Sequence, residues 1–398
     1  MRCSRNNREC VFAGTKPPTA AGQGLAAKND TDADSGSGSD QYSPTSDPDS
    51  PTSLASPLSA NAVALATLVA DYNIDALNPW IKKNGTSVDY LLHHFTSNSA
   101  VIMGQAFSAQ FWAMACRYTF LVPTILSVSA CHLRHNTSNP APHRIAELGQ
   151  ESMAISSLKS ALAMPLQSKE RANALLYTAV ILNAINFASV ENPRNPAASW
   201  VFSNSADRLG WLDLQLRFKR LEEATAQFRD YDEPCKAISP QPASPVRESN
   251  SPGEEDADLV DVPESWRMLL GEKTDPDHHC LREPVKLLAK LRVLEPDCAG
   301  SFAYLGLISK LDQRFRDLLY VRESRAMWVF GYWLGLIGRF SIWWTVRRVE
   351  RDWAAVRRFL RDQELDRRPG DEGRMWMALN SDLGNASQWP SPHPDTLM

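Results

Sequence analysis

The sequence lacks the short motifs that most often carry catalysis. No G-x-G-x-x-G segment, no P-loop and no G-x-S-x-G segment occurs in its 398 residues. Those motifs build a phosphate cradle or expose an activated serine, so their absence leaves no support for nucleotide-dependent or serine-hydrolase chemistry. Strand signals, meaning short runs of alternating apolar and polar residues, are missing too. We therefore expect an all-α protein that is not an enzyme.

Long hydrophobic runs and paired cysteines are also scarce. The most apolar stretch, Met327 to Leu336, is closed by Arg339 and falls well short of the roughly 20 residues that span a bilayer. Residues 1–10 contain three arginines and no apolar core, so we do not expect a secretory leader. The seven cysteines are scattered and odd in number, which favours reduced thiols or metal ligands over a disulfide framework. These features predict an intracellular protein without a membrane span.

Neither sign of charge dominates the chain. It has 46 acidic and 42 basic residues, which gives a formal net charge of −4. A nucleic-acid binder usually carries a basic footprint, so any DNA contact of this chain must be local. One helical segment near the C-terminus is rich in arginine, and its apolar residues alternate with the charges as a buried stripe would. We expect a solvated basic face from Arg347, Arg348, Arg351, Arg357, Arg358 and Arg361.

Composition divides the chain into segments that can and cannot fold. Residues 15–60 are mostly Gly, Ser, Thr, Asp and Pro, which bury too little apolar surface to offset the entropy of ordering, so they predict a disordered linker. Residues 61–398 are rich in Leu, Ala, Trp and Phe, enough for a single large multi-helix domain. Within that domain, Pro, Ser and acidic residues at about 230–264 predict a disordered acidic insertion. It is either a solvated loop or a contact site for coactivators.

A helix at the centre of the predicted core covers Ala115 to Arg134. Its apolar residues recur at steps of three and four, which places Ile125 and Leu126 on a wide buried face. Pro123 lies inside this pattern, and proline lacks an amide donor and collides with the preceding turn. We expect a kink or a helix restart near Phe120.

Two further helices are predicted after this one. The first covers His143 to Ala163, and the second, Lys169 to Ser189, is apolar on almost every side, which predicts burial on most sides. A short connection makes them antiparallel neighbours. In the first helix we expect the large apolar residues to be buried, namely Ile145, Leu148, Met153, Ile155, Leu158 and Leu162.

Histidines and cysteines invite a metal interpretation at two places. His93 and His94 are adjacent on a helix and point about 100° apart, so they cannot easily chelate one metal, and we expect packing or polar-edge roles. The second group has adjacent residues and no CxxC or HxxxH pair, which fits no recognised zinc spacing. That group is His278, His279, Cys280 and Cys298.

Several segments occur in an order that is found in a known family. A Leu-His-His helix at Tyr90–Thr96 precedes Phe111-Trp112 and an apolar helix that ends in Ser127–Leu133. Farther along the chain lie Ala326–Trp333, Trp343-Trp344 and Trp389-Pro390. As an ordered set, these segments resemble the fungal-specific transcription factor domain of zinc-cluster (Zn2Cys6) regulators, and among them the sterol uptake control proteins. The resemblance implies an all-helical regulatory domain over residues 61–398.

The N-terminus resembles the end of that family's binuclear zinc cluster. In the cluster six thiolates hold two zinc ions, and Cys3 and Cys10 match its last two cysteines. Residues 1–14 therefore read as an incomplete remnant, with Cys3 and Cys10 as the metal ligands that remain. Two thiolates cannot close a tetrahedral zinc site, so we expect zinc in an intact relative and none in this chain. The alternative is two unrelated cysteines in a flexible leader.

The resemblance implies a nuclear regulator of RNA polymerase II-dependent transcription that responds to sterols. An intact relative would bind promoter DNA through the cluster, whereas this chain would need the missing cysteines restored. The helical domain would take a sterol or another apolar ligand, form a homodimer or contact coactivators. The alternative is a ligand-binding or dimerising module with no DNA binding of its own.

Overall fold

Helices are the main regular secondary structure in the described part of the chain. The computed structural model describes residues 79–104, 111, 112, 114–166, 168–228, 259, 261–272, 274–296 and 304–390. No strand occurs in these ranges, which confirms the predicted all-α class. They belong to one compact unit, Pro57–Met398. The predicted remnant at 1–14, the predicted linker at 15–60 and most of the predicted acidic insertion at 230–264 lie outside the described residues.

Thirteen α-helices lie in these described ranges. The first five are α1 (Pro79–Asn84), α2 (Val88–Met103), α3 (Val122–Asn136), α4 (Ala141–Leu162) and α5 (Lys169–Ala188). The next four are α6 (Gly210–Thr225), α7 (Glu264–Leu269), α8 (His278–Val293) and α9 (Leu307–Lys310). The last four are α10 (Gln313–Val321), α11 (Ser324–Ile337), α12 (Trp343–Asp362) and α13 (Asp371–Asn385). No helix of this part is both long and apolar enough to cross a membrane.

The central helix of the N-terminal half, α3, begins where the proline allows it to begin. The chain forms a 3-10 turn over Thr119–Leu121 and then enters α3 at Val122, with Pro123 in the first helical turn. At that position proline interrupts no intrahelical hydrogen bond, because the first amides of a helix have no partner within it. The expected restart near Phe120 is therefore present, and the helix itself is not kinked by the proline. Ile125 and Leu126 are fully buried, as predicted.

The burial predicted for α4 is wrong for Leu148, Ile155 and Leu162, whereas Met153 and Leu158 are partly buried and pack against the core. Leu148, Ile155 and Leu162 are 47%, 42% and 46% exposed. The side that faces α3 and α5 consists instead of small or polar residues, namely Ala146, Glu147, Gly149, Gln150, Ala154 and Ala161. Small side chains let helix axes approach closely, and this close packing decides which face of α4 turns inward.

The core of the C-terminal half surrounds α11. Every residue of α11 from Ala326 to Ile337 is buried, between α8, α10, α12 and α13. Two glycines permit this close packing: a Cβ on Gly331 would lie 2.6 Å from Val356 Cγ1, and one on Gly335 would lie 2.5 Å from Ala386 Cβ. The chain turns at Gly338 and enters α12 at Trp343, so α11 and α12 are separate helices that pack against each other.

Replacing Gly331 with Ala should destabilise the protein by about 1–3 kcal/mol, because the new methyl group has no room beside Val356. The matched control is Gly384→Ala in α13, where the nearest neighbour of the new Cβ is Arg357 Nη2 at 3.5 Å. The control should be neutral or slightly stabilising because alanine favours helix more than glycine does. Urea unfolding of both variants measures the difference, and equal stabilities would contradict the packing described for α11.

Candidate functional site

Both predicted metal ligands, Cys3 and Cys10, lie outside the described residues, and so does Cys298. Cys280 is buried at the start of α8, where its thiol donates a hydrogen bond to the backbone carbonyl of Asp277 at 3.1 Å, and burial raises its pKa to about 11. Across the described ranges, no three His, Cys, Asp or Glu side chains are placed to share a metal ion.

The structure instead brings histidines together where α2, α3 and α4 meet. The chain has eight histidines, and five of them lie in this region: His93, His94, His132, His135 and His143. His94 Nε2 and His132 Nδ1 are 2.9 Å apart, so one ring donates a hydrogen bond to the other. His143 Nδ1 is 2.6 Å from Thr86 Oγ1. His93 is exposed, whereas His94, the next residue of α2, is half-buried.

An asparagine lies beside each ring of the pair, four residues farther along the same helix. Asn136 Nδ2 is 3.0 Å from His132 Nε2, and Asn98 Nδ2 is 3.3 Å from His94 Nδ1. Each amide also donates to the backbone carbonyl of its own histidine, at 3.0 Å and 2.9 Å. The sequence signal for this arrangement is a His-x3-Asn spacing that lies wholly within a helix in α2 and in α3; its third occurrence, His135 to Asn139, runs past the end of α3.

The contacts Asn136–His132–His94–Asn98 form a chain of hydrogen bonds. Each neutral ring carries one proton, so donation along this chain can run in one direction only. If both amides donated to the rings, both protonated ring nitrogens would meet in the 2.9 Å gap between the histidines. The shorter amide contact favours the direction in which Asn136 donates to His132 Nε2 and His132 Nδ1 donates to His94 Nε2. His94 then carries its proton on Nδ1, beside the longer contact to Asn98.

Trp343 covers this pair from the C-terminal half of the chain. It is the first residue of α12, and its ring stands edge-on to His132 and His135, with centroids 4.9 Å and 5.3 Å away. Its indole nitrogen donates to the carbonyl of Ile102 at the end of α2, at 3.1 Å. Arg347, one turn farther along α12, donates to the carbonyl of His135 at 2.8 Å. The histidine pair is therefore part of the contact between the two halves.

Burial keeps these rings uncharged at neutral pH. Burial, with a smaller contribution from the neighbouring His94, lowers the pKa of His132 to about 4. For His135, burial together with the charges of Arg347 and Arg134 lowers the pKa to about 3. The pKa of His94 is lowered by burial and by the charges of His143 and His93. Protonation of both rings would place two cations about 3 Å apart, so the doubly protonated pair is unfavourable.

A second buried polar cluster lies where α12 packs against the C-terminal end of α5. Arg348 donates to the carbonyls of Phe187 at 2.7 Å and Asn186 at 3.2 Å, and Arg351 donates to the carbonyl of Glu191 at 3.0 Å. Both arginines contact the carboxylate of Asp352, which is fully buried. The predicted solvated face is therefore wrong for Arg348 and Arg351, which are 4% and 7% exposed. Arg348 is buried against carbonyls in the last turn of α5, which have no amide four residues ahead within the helix, and Arg351 is buried against the carbonyl of Glu191 just beyond it.

The contacts made by the histidine ring nitrogens fix the orientation of the two rings. The ring nitrogens of His132 are both occupied, by His94 and by Asn136, and no nucleophilic side chain contacts the pair in the contacts described above. No family model, curated protein or solved structure matches this chain. The functional assignment therefore depends on the residues and contacts of this region.

Replacing His132 with Gln should reduce the loss of stability in mild acid. The folded state holds this ring neutral down to a pKa of about 4, whereas an unfolded histidine titrates near 6.5, so the unfolded chain binds more protons between these values. Stability from this group is thus fully present above pH 6.5 and declines as the pH falls towards 4. The difference at pH 5 should be about 2 kcal/mol.

Urea unfolding at pH 7 and pH 5 measures this loss in the wild type and the variant. Asp382 acts in the opposite sense, because burial raises its pKa to about 6, so the comparison must be between the two proteins and not between two pH values alone. Exposed His279 is the matched position, and His279→Gln should keep the wild-type loss. An unchanged loss in His132→Gln would contradict the buried neutral pair.

Proposed function

We propose that this chain is the helical regulatory part of a fungal zinc-cluster transcription regulator, which acts in the nucleus on RNA polymerase II-dependent genes. The observation that supports this most is where the residues of the family resemblance lie. His132, from the helix that ends in His-Leu, contacts both His94 of the Leu-His-His helix and Trp343 of the distant Trp-Trp pair. Segments that resemble one family in order also meet in space.

The character of this contact fits a regulatory domain better than a catalytic centre. Its rings are neutral, and they hydrogen-bond to one another, as in a joint between helices. In this proposal zinc and promoter DNA belong to relatives that carry all six cluster cysteines, and this chain contributes regulation and contacts with coactivators.

A reporter assay tests the proposal directly. The chain, fused to a heterologous DNA-binding domain in a fungal nucleus, should change the expression of a reporter that carries the matching operator. Leu126→Asp should abolish the change, because it puts an unpaired carboxylate at a fully buried position and unfolds the domain. Val321→Asp is the matched control at a 70% exposed position and should keep the effect. A fusion that is stable and nuclear but leaves activation and repression reporters unchanged would contradict the proposal.

The second candidate function is a ligand-binding or dimerising module without DNA binding of its own. Helices α5 and α11 favour it, since both are apolar and buried on nearly all sides. Aromatic rings gather between them: Phe187 stands edge-on to Trp211, Trp333 and Trp344, with centroids 5.4 Å, 6.4 Å and 5.6 Å away. A flat sterol is a ligand that such a surface would accept.

If the domain takes a sterol, ergosterol should raise its thermal midpoint. A ligand that binds only the folded state adds about 2.7 kcal/mol at one hundred times its dissociation constant. Thermal unfolding with a soluble ergosterol analogue measures this, and an apolar molecule of similar size without the sterol ring system is the control. An unchanged midpoint at saturating analogue would remove the sterol from the proposal and leave the reporter assay unaffected.

A further inference from the structure

The outer face of α4 carries a regular row of large apolar side chains. Leu148, Ile155 and Leu162 are seven residues apart and between 42% and 47% exposed. Single exposed apolar residues are ordinary on a protein surface, but an aligned row marks an interaction surface. Glu147 and Gln150 of the same helix are buried on its opposite side. The helix therefore turns its bulky apolar face outward.

The chain enters the described structure beside the first turns of α4. Helix α1 begins at Pro79 and packs against α4. Gly85, the residue after α1, lies so close to α4 that a Cβ on it would be 3.3 Å from Ile145 Cγ2. Leu148 follows Ile145 by about one helical turn, so the near end of the apolar row lies beside the entering chain.

The sequence just before α1 predicts one more helix, over residues 57–72, which lie outside the described residues. Ser56 is a favoured helix cap, and Pro57 is a favoured first helical residue, so the predicted linker ends at residue 56. At 100° per residue the large apolar side chains of this segment fall on one face. They are Leu58, Leu65, Leu68, Val69 and Tyr72.

The two apolar faces match in spacing when the helices run in opposite directions. Residue 72 is the end of the segment that is nearest to α1, whereas α4 leads away from α1 towards Leu162. Both faces repeat every seven residues, and the antiparallel register pairs them in reverse order: Tyr72 with Leu148, Leu65 with Ile155 and Leu58 with Leu162. Residues 73–78 connect the segment to α1, and six residues reach up to about 20 Å, well beyond the distance of roughly 8–10 Å between packed helices.

We propose that residues 57–72 form a helix that lies antiparallel along the outer face of α4. An amphipathic helix of this length is marginal alone in water, so it gains stability from a surface that covers its apolar face. The short connection favours this occupant over a separate partner, because a tethered segment has an effective concentration in the millimolar range. The predicted linker then leaves the domain at the far end of α4, beside Leu162. The contact does not depend on the proposed transcriptional role.

Hydrogen exchange of the full chain tests whether the segment is docked. The amides of residues 57–72 should exchange more slowly than those of the predicted linker, by on the order of tenfold or more. Leu65→Asp should remove this protection because it puts a carboxylate into the contact, and Ile155→Asp should remove it from the α4 side. Thr67→Asp is the matched control, since Thr67 lies on the opposite face of the predicted helix, and it should keep the protection. All three variants should keep the protection of α11, which reports a folded core.

Disulfide trapping tests the direction of the segment. Leu58→Cys combined with Leu162→Cys should form a disulfide within one chain on oxidation. Leu58→Cys combined with Leu148→Cys should form much less, because Leu148 and Leu162 are separated by about 21 Å along α4 at 1.5 Å per residue. The chain has seven cysteines of its own, so peptide mapping must identify the bond. Equal yields from the two pairs, or a higher yield with Leu148→Cys, would overturn the antiparallel register.

Three further results would overturn the proposal. Residues 57–72 that exchange as fast as the predicted linker would show that the segment is not docked. Protection that survives in Ile155→Asp would place the segment on another surface. A disulfide that forms between chains instead of within one would assign the apolar row to a second copy. None of these results changes the expectation for the reporter fusion, so the two proposals fail separately.

Discussion

The packing of the two halves depends most on the C-terminal end of α5 and the residues just beyond it. Arginines of α3 and α12 bind backbone carbonyls there. Arg348 and Arg351 of α12 bind the carbonyls of Asn186, Phe187 and Glu191, and Arg134 of α3 donates to the carbonyl of Ala188 at 3.4 Å. A helix C-terminus carries partial negative charge and unpaired carbonyls, which cations stabilise. These charged hydrogen bonds at the end of α5 thus connect the N-terminal and C-terminal halves.

Each arginine at this joint has a buried acidic partner. Asp352 is fully buried between Arg348 and Arg351 and accepts a hydrogen bond from Ser199 at 2.8 Å, while the equally buried Glu147 pairs with Arg134 and, at 2.6 Å, with Arg144. Removing one member of a buried ion pair costs about 3–5 kcal/mol because the other charge is left without compensation. Burial lowers the pKa of Arg348 only to about 10, so it remains a cation at neutral pH.

The helices could be predicted from the sequence, and their orientation could not. Periodic apolar residues locate α3, and Ser87 caps α2 through its contact with the amide of Tyr90, because both signals are local. The inward face of α4 and the burial of Arg348 depend on neighbours that are distant in sequence, namely the close-packed α3 and the carbonyl end of α5. A hydrophobic pattern favours burying Leu148, yet the small residues of α4 allow a closer contact. For the histidine pair, the repeated His-x3-Asn spacing was a local signal, but the 38 residues between its members hid their contact.

The contact at the histidine pair and the contact at the end of α5 are connected through α12, which begins at the first and continues to the second. Trp343 lies against the histidine pair in the first turn of α12, and Arg348 reaches α5 little more than one turn later, with its guanidinium 4.4 Å from the centroid of Trp211. Because Trp343 and Asp352 lie on one helix, a movement of α12 as a whole would disturb both contacts. Since α12 packs on the fully buried α11, the same movement would reach the aromatic rings between α5 and α11. Any ligand that enters that region is therefore coupled to the contact between the two halves.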